Sequence, residues 1–192
     1  MTPRIVAIGG TVSPGSATEL ALKVAIASAE AEGAAVTLFD GSYLAALPHY
    51  RGPGHTLQDG GEMVAAVREA DGLLIAAPGY HGTVSGLVKN ALDYLEDLAK
   101  DGRPYLDGRA VGLIATAYGD QATVNTMQTL RTIVHALRGW PTPMGATIRV
   151  GADLFAPGGD RLEDRSRTQL ELVGRQVVGG ARSLASLGSD PG

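Results

Sequence analysis

The chain has 192 residues, of which 44% are hydrophobic and 19% charged, and a net charge of −4. It is too apolar and too weakly charged for a disordered chain, and no apolar stretch reaches the ~20 residues of a membrane span. It contains no cysteine, which excludes thiol catalysis, Cys-ligated zinc, iron–sulfur clusters and disulfides.

Residues 4–9 (RIVAIG) read as a buried strand and residues 17–33, rich in Ala, Leu and Glu, as a helix. Residues 35–40 (AVTLFD) form the second strand. The connection 43–61 carries Pro48, Gly52, Pro53 and Gly54 and reads as a long loop, a lid or a subunit contact. A short helix follows at 61–70, then a third strand at 72–77 (GLLIAA), apolar as in a strand covered on both faces. Residues 85–100 read as a helix with Leu87, Val88, Ala91, Leu92, Leu95 and Leu98 on one stripe. The fourth strand is 110–117, the fourth helix 122–138, and 147–150 lies in the fifth strand. A terminal helix is expected over 161–187, weakened by Gly174, Gly179 and Gly180, with 188–192 frayed.

Strands alternating with helices predict an α/β fold: a single domain over 1–192 with a doubly wound, five-stranded parallel sheet. Two orders compete, the flavodoxin-like 2-1-3-4-5 and the dinucleotide-binding order. In both, ligands lie beyond the carboxyl ends of the strands, which directs attention to the loops after strands one, three and four. The mildly acidic balance argues against nucleic acid. The start, Met1-Thr2-Pro3-Arg4, shows no secretory signal, which together with the missing cysteines fits a cytoplasmic protein.

The first of these loops runs Gly9-Gly10-Thr11-Val12-Ser13-Pro14-Gly15-Ser16-Ala17-Thr18-Glu19 into a helix. Backbone N–H groups at a helix start, with the hydroxyls of Thr11, Ser13, Ser16 and Thr18, make an anion cradle. The loop holds no Lys or Arg, lacks the Gly-Lys-Ser/Thr ending of nucleoside-triphosphate loops and lacks G-x-G-x-x-G. Asp40, ending strand two, is the one point in favour of a dinucleotide, as a ribose partner. A neutral, hydroxyl-rich cradle suits a single terminal phosphate. Ser16 and Glu19 also fit a capping box, and the two roles are compatible.

The loop after strand three reads Pro78-Gly79-Tyr80-His81-Gly82-Thr83-Val84-Ser85-Gly86, and continues through Lys89-Asn90-Ala91 to Asp93. This stretch resembles the P-x-Y-x-G-x-x-x-G-x-x-K-N-A-x-D segment of the NAD(P)H-dependent FMN reductases, a flavodoxin-like family. The first loop resembles that family's phosphate loop, with Ser13 and Thr18 in place of the common Arg and Asn. The resemblance implies the order 2-1-3-4-5. It also implies FMN held at its phosphate by Thr11, Ser13, Ser16, Ala17 and Thr18 and along its ring by Pro78, Gly79, Tyr80, His81 and Gly82. The resemblance further implies that Ala117, Tyr118 and Gly119, in the loop after strand four, flank the ring, with Ala117 and Tyr118 where the family has small residues.

Other roles remain open for several of these residues. His81 can be a solvated loop histidine, Tyr80 a packing residue, and Tyr118 a side chain packed on its own helix. Lys89 and Asp93 have the spacing of a surface pair. Asn90 fixes either the loop or a subunit contact. Arg51 is the nearest candidate cation for a nucleotide phosphate, or a solvated arginine. His49 and His55 lack metal-ligand spacing, so no metal site is expected.

The resulting expectation is an NAD(P)H-dependent flavin oxidoreductase. NADPH or NADH passes hydride to FMN, which serves a quinone, an azo acceptor or a flavin-dependent monooxygenase. The flavin does the chemistry, so no catalytic side chain is nominated. The alternative is a flavodoxin-type electron carrier. A receiver module lacks its aspartates, since Gly9-Gly10 and Ala77-Pro78 stand there, and a dinucleotide-only dehydrogenase lacks its glycine fingerprint. A homodimer or homotetramer is expected from the resemblance. It is also expected from Val124, Met127, Leu130, Ile133, Val134 and Leu137, more apolar positions than one core-facing stripe needs.

Overall fold

The computed structural model describes residues 1–55, 60–151 and 163–187. In chain order the elements are β1 (Arg4–Gly9), α1 (Ala17–Ala31), β2 (Ala35–Phe39), α2 (Gly41–Ala46), α3 (Gly61–Glu69), β3 (Gly72–Tyr80), β4 (Thr83–Val84) and α4 (Gly86–Asp93). After a 3-10 turn (Tyr94–Leu98) come β5 (Ala110–Ala117), α5 (Asp120–Ala136), β6 (Trp140–Arg149) and α6 (Asp164–Leu187). The main strands lie parallel in the order β2-β1-β3-β5-β6, which is the flavodoxin-like order.

Alternation along the central strands splits the core in two. Val6, Ile8, Leu73, Ile75, Val111 and Leu113 pack against α3, α4 and α5. Ile5, Ala7, Leu74, Ala76, Ile114 and Ile148 pack against α1 and α6. Gly174 lets these last two helices approach closely, since a Cβ there would lie 2.4 Å from the carbonyl oxygen of Ala25.

Several expectations are corrected. The sheet has six strands among the described residues, because β3 runs on to Tyr80 and folds back into the two-residue β4. The expected helix 85–100 is α4 followed by the 3-10 turn. Helix α2 overlaps the start of the expected loop; Asp40 caps it by accepting the Tyr43 N–H at 2.9 Å, which removes the sequence argument for a ribose partner. Strand β6 starts at Trp140 and carries Pro141 and Pro143, which an edge strand tolerates. Residues 161 and 162 of the expected terminal helix, and the tail 188–192, lie outside the described residues.

The apolar excess on α5 is taken up within the chain. Met127, Leu130 and Val134 are buried, and Ile133 and Leu137 pack against the same core. The segment before β5 wraps the helix end, with the Leu106 N–H donating to the Leu137 carbonyl at 2.9 Å. Of the six positions only Val124 stands exposed, so this stripe no longer argues for a subunit contact. No described helix is long and apolar enough to cross a membrane.

Candidate functional site

Strand β1 delivers the chain to Gly9 and Gly10, with φ of 150° and 117°. Space requires glycine as well. A Cβ on Gly9 would lie 2.2 Å from the carbonyl oxygen of Ala76, and one on Gly41 would lie 2.0 Å from that of Thr11. The start of the loop is thus wedged between β3 and α2, and its backbone path is fixed before the hydroxyl residues begin.

Beyond this wedge the Ser13 N–H donates to Thr11 Oγ1, and the Thr11 hydroxyl donates to the Ser13 carbonyl, both at 3.2 Å. Ser16 caps α1 by accepting the Glu19 N–H at 3.2 Å. The Glu19 carboxylate accepts the Gly15 N–H at 2.8 Å and pairs with Lys23, so the capping box closes one residue further out than its usual form. The Lys23 hydrogen bond, followed by the Gly15 N–H, holds the Glu19 carboxyl below its ordinary pKa.

The Leu20 N–H donates to the Ser16 carbonyl, which leaves the N–H groups of Ala17 and Thr18 without an intrahelical acceptor. These N–H groups, with the Ser13 and Ser16 hydroxyls, are the donors the loop offers. The Thr18 hydroxyl is not among them, for it is buried and shares a 2.6 Å hydrogen bond with Thr116.

The second loop is a hairpin. Tyr80 pairs with Thr83, and the turn residues His81 and Gly82 have φ of 51° and 90°. Positive φ at both positions gives the twist-matched two-residue turn. His81 is exposed and Tyr80 is 51% exposed. Gly79 sits over α5, where a Cβ would lie 2.4 Å from Thr126 Oγ1. That hydroxyl is buried and has no hydrogen-bond partner among the described residues.

In the third loop Ala117 is buried and Tyr118 is 82% exposed, so Tyr118 does not pack on its own helix. Gly119 is the N-cap of α5, with no side-chain cap and open space where a Cβ would stand.

Register brings the three loops together. Gly9 pairs with Ala76, and Pro78 with Thr116, so the loops leave three adjacent strands at one end. Thr11, Ser13, Ser16, Ala17, Thr18, Pro78, Gly79, Tyr80, His81, Gly82, Ala117, Tyr118 and Gly119 therefore cluster at the carboxyl ends of β1, β3 and β5.

The segment after α2 is anchored elsewhere. The Tyr50 N–H donates to Asn90 Oδ1 at 2.9 Å, Asn90 Nδ2 donates to the Pro48 carbonyl at 2.9 Å, and the Tyr94 hydroxyl donates to the same carbonyl at 2.8 Å. The Tyr50 hydroxyl donates to Asp97 at 3.0 Å, and burial together with that carboxylate raises its pKa. Asn90 thus fixes the loop. Lys89 and Asp93 form an exposed ion pair. Among the described residues no group of three or more His, Asp or Glu could hold a metal.

Sequence reasoning missed Gly41, Thr116 and Thr126. Thr116 had a signal, as a hydroxyl in the otherwise apolar strand 110–117. Thr126 is one of several threonines along α5 and had none.

The sequence profile of the family described as NADPH-dependent FMN reductase matches residues 3–153. An FMN-dependent NADPH-azoreductase of Staphylococcus aureus is 38% identical over 74 residues, which cover 38% of this chain and 36% of the azoreductase. The match thus spans about a third of that relative's length. The NAD(P)H:(acceptor) oxidoreductase FerB of Paracoccus denitrificans superposes with a TM-score of 0.73 at 19% identity, over 95% of this chain and 98% of that one. An NADH:FMN oxidoreductase in its apo form superposes with a TM-score of 0.67 at 23% identity, over 99% and 92%. These two likenesses are of fold.

Proposed function

Since the chain belongs to the NADPH-dependent FMN reductase family, we propose that it is an NAD(P)H-dependent flavin oxidoreductase, one FMN-binding domain over residues 1–192. The observation that carries this reading is the convergence of three differently built loops at the ends of β1, β3 and β5. The residues present fit FMN. The start of α1 offers two free N–H groups and the Ser13 and Ser16 hydroxyls without a fixed cation, which suits a lone phosphate. The backbone at Gly79, kept bare by Thr126, allows a flat ring to approach, and Tyr80 and Tyr118 stand exposed to cover it.

The bound flavin supplies hydride acceptance from NADPH or NADH and electron delivery to a quinone, an azo compound or a flavin-dependent monooxygenase. The protein's part is to bind, orient and stabilise. Ser13, Ser16 and the N–H groups of Ala17 and Thr18 hold the phosphate. The N–H groups of His81, Gly82 and Gly119 would hydrogen-bond the polar edge of the ring and stabilise negative charge there. No side chain serves as acid or base. A homodimer or homotetramer is the setting this reading carries over from the family resemblance, and a cytoplasmic one the setting it takes from the cysteine-free sequence.

The test is a flavin titration followed by steady-state assays. One FMN per chain should bind non-covalently at micromolar concentration, and NADPH oxidation should depend on it. Absence of binding would refute the reading. Binding without oxidation of either nucleotide would favour the electron carrier.

A further inference from the structure

A cavity of about 580 Å³ opens one strand beyond the flavin site, at the carboxyl end of β6. Its walls include Asp120 and Thr123 of α5, Thr147 and Arg149 of β6, and Arg165 and Ser166 of α6. It adjoins the third loop. Asp120 and Thr123 follow Tyr118 and Gly119 directly, and the Val150 N–H donates to the Ala117 carbonyl at 2.7 Å, tying the end of β6 to that loop.

The two guanidiniums in this cavity have no direct partner among the described residues. Arg4 and Arg68 pair with Glu69 and Asp101, and Arg109 and Arg182 donate to backbone carbonyls. Arg149 and Arg165 make no hydrogen bond or ion pair with the described residues. Of the two carboxylates among the described residues of the cavity wall, Glu163 is hydrogen-bonded to the first turn of α6. It accepts the Ser166 hydroxyl at 3.0 Å and the Ser166 N–H at 3.3 Å. Asp120 sits in the first turn of α5, where the helix start partly offsets its charge. The Thr123 and Ser166 hydroxyls are donated to the Asp120 carbonyl and to Glu163, so the two permanently charged guanidiniums, with the Thr147 hydroxyl beside them, are the groups that suit a phosphate dianion.

We propose that this cavity receives the 2′-phosphate of the nicotinamide dinucleotide, with Arg149 and Arg165 as its ligands and as the residues that set NADPH over NADH. The proposal rests on the reductase reading, which places the nicotinamide against a flavin one strand away. Arg51, the cation expected from the sequence, belongs instead to the segment anchored on α4, across the sheet from α6.

The probes are adenosine 2′,5′-bisphosphate and adenosine 5′-monophosphate, titrated calorimetrically into the protein and into an Arg149→Gln/Arg165→Gln variant. Arg167→Gln/Arg175→Gln, which removes the same two charges outside this cavity, serves as a control for net charge. Bisphosphate affinity should fall about 10- to 100-fold in the double variant, the loss expected for charge-assisted bonds to one phosphate. The monophosphate should change by less than about 3-fold, a fraction of one such bond. In the FMN-loaded enzyme KM for NADPH should rise by the same factor as the bisphosphate loss, with KM for NADH and the FMN Kd held. Unchanged bisphosphate binding, or equal loss of both nucleotides, overturns the proposal. Loss of FMN binding by the unmodified protein would refute the reductase reading, and the bisphosphate titration would still decide the arginine pair.

Discussion

The hydroxyls of Thr18 and Thr116 lie 2.6 Å apart, both buried, and join the first turn of α1 to the end of β5 beneath the first loop. The two residues are 98 positions apart in the chain. This bond divides the labour between two residues of the first loop. Ser16 caps the helix by accepting the Glu19 N–H, which leaves its own hydroxyl hydrogen available to donate, whereas Thr18 ties the helix to the sheet.

Thr18→Ala should therefore act on stability. It leaves the Thr116 hydroxyl buried without a partner, at a cost of about 1–3 kcal/mol, and should weaken FMN and riboflavin alike. Ser16→Ala should lose about 1 kcal/mol of cap and lower FMN affinity by about 10-fold or more, with a smaller loss for riboflavin, which lacks the phosphate. The ratio of the two affinities checks both. A ratio altered by Thr18→Ala would return that hydroxyl to the phosphate site.

At the second loop, Gly79→Ala should weaken FMN binding, because its Cβ would lie 2.4 Å from Thr126 Oγ1 and 3.3 Å from the Ala117 Cβ. Adding Thr126→Ala should restore part of the affinity, and the two substitutions should be non-additive by about 0.5–3 kcal/mol. Thr126→Val removes the unpartnered hydroxyl and keeps the volume. It should leave stability unchanged or raise it by about 1 kcal/mol. Denaturant midpoints and flavin titrations measure the cycle; strict additivity would show that the contact is relieved by other means.

Arg109 is a structural counterpart at the opposite end of the sheet from the three loops. Its buried guanidinium donates to the carbonyls of Arg68 at 2.7 Å, Ala70 and Tyr105 at 3.1 Å, and Asp107 at 3.3 Å. Burial lowers its pKa to about 10, which still leaves it charged at neutral pH. A lysine has no planar fork to reach four carbonyls. Arg109→Lys should cost about 2–4 kcal/mol by urea denaturation, with FMN affinity retained in the folded fraction.

The acid side of the stability profile should carry a signature of Glu19. Its folded pKa lies below the ordinary carboxylate value, so the stabilisation is fully present above that ordinary value. It fades as pH falls through the folded pKa. Melting temperatures of the protein and of Glu19→Gln should differ at pH 7 and converge in acid, below the ordinary carboxylate range. A gap that persists there would assign the effect to packing.

Much of the architecture is written in local pattern. The apolar runs 4–9, 72–77 and 110–117 mark strands covered on both faces, and the intervening amphipathic stretches mark the helices. Their alternation implies a parallel sheet whose loops at one end carry ligands. The stretch from Pro78 to Asp93 narrows that to a flavin family, because turn residues and polar positions at fixed spacing are themselves local features. Ser16 and Glu19 announce a capping box for the same reason.

Contacts between distant segments are another matter. The roles of Thr18, Asn90 and Gly41 depend on partners 98, 42 and 30 positions away, at Thr116, Pro48 and Thr11 respectively. No periodicity in one segment encodes which side chain another segment will bring to it. The apolar excess on α5 shows the same limit: composition counts the apolar positions, and only the wrapping of the 99–109 segment decides that they face this chain's own core. Local pattern fixes backbone geometry and the burial of each face. Which hydroxyl is free, which glycine is crowded and which arginine is unpaired follow from packing in three dimensions.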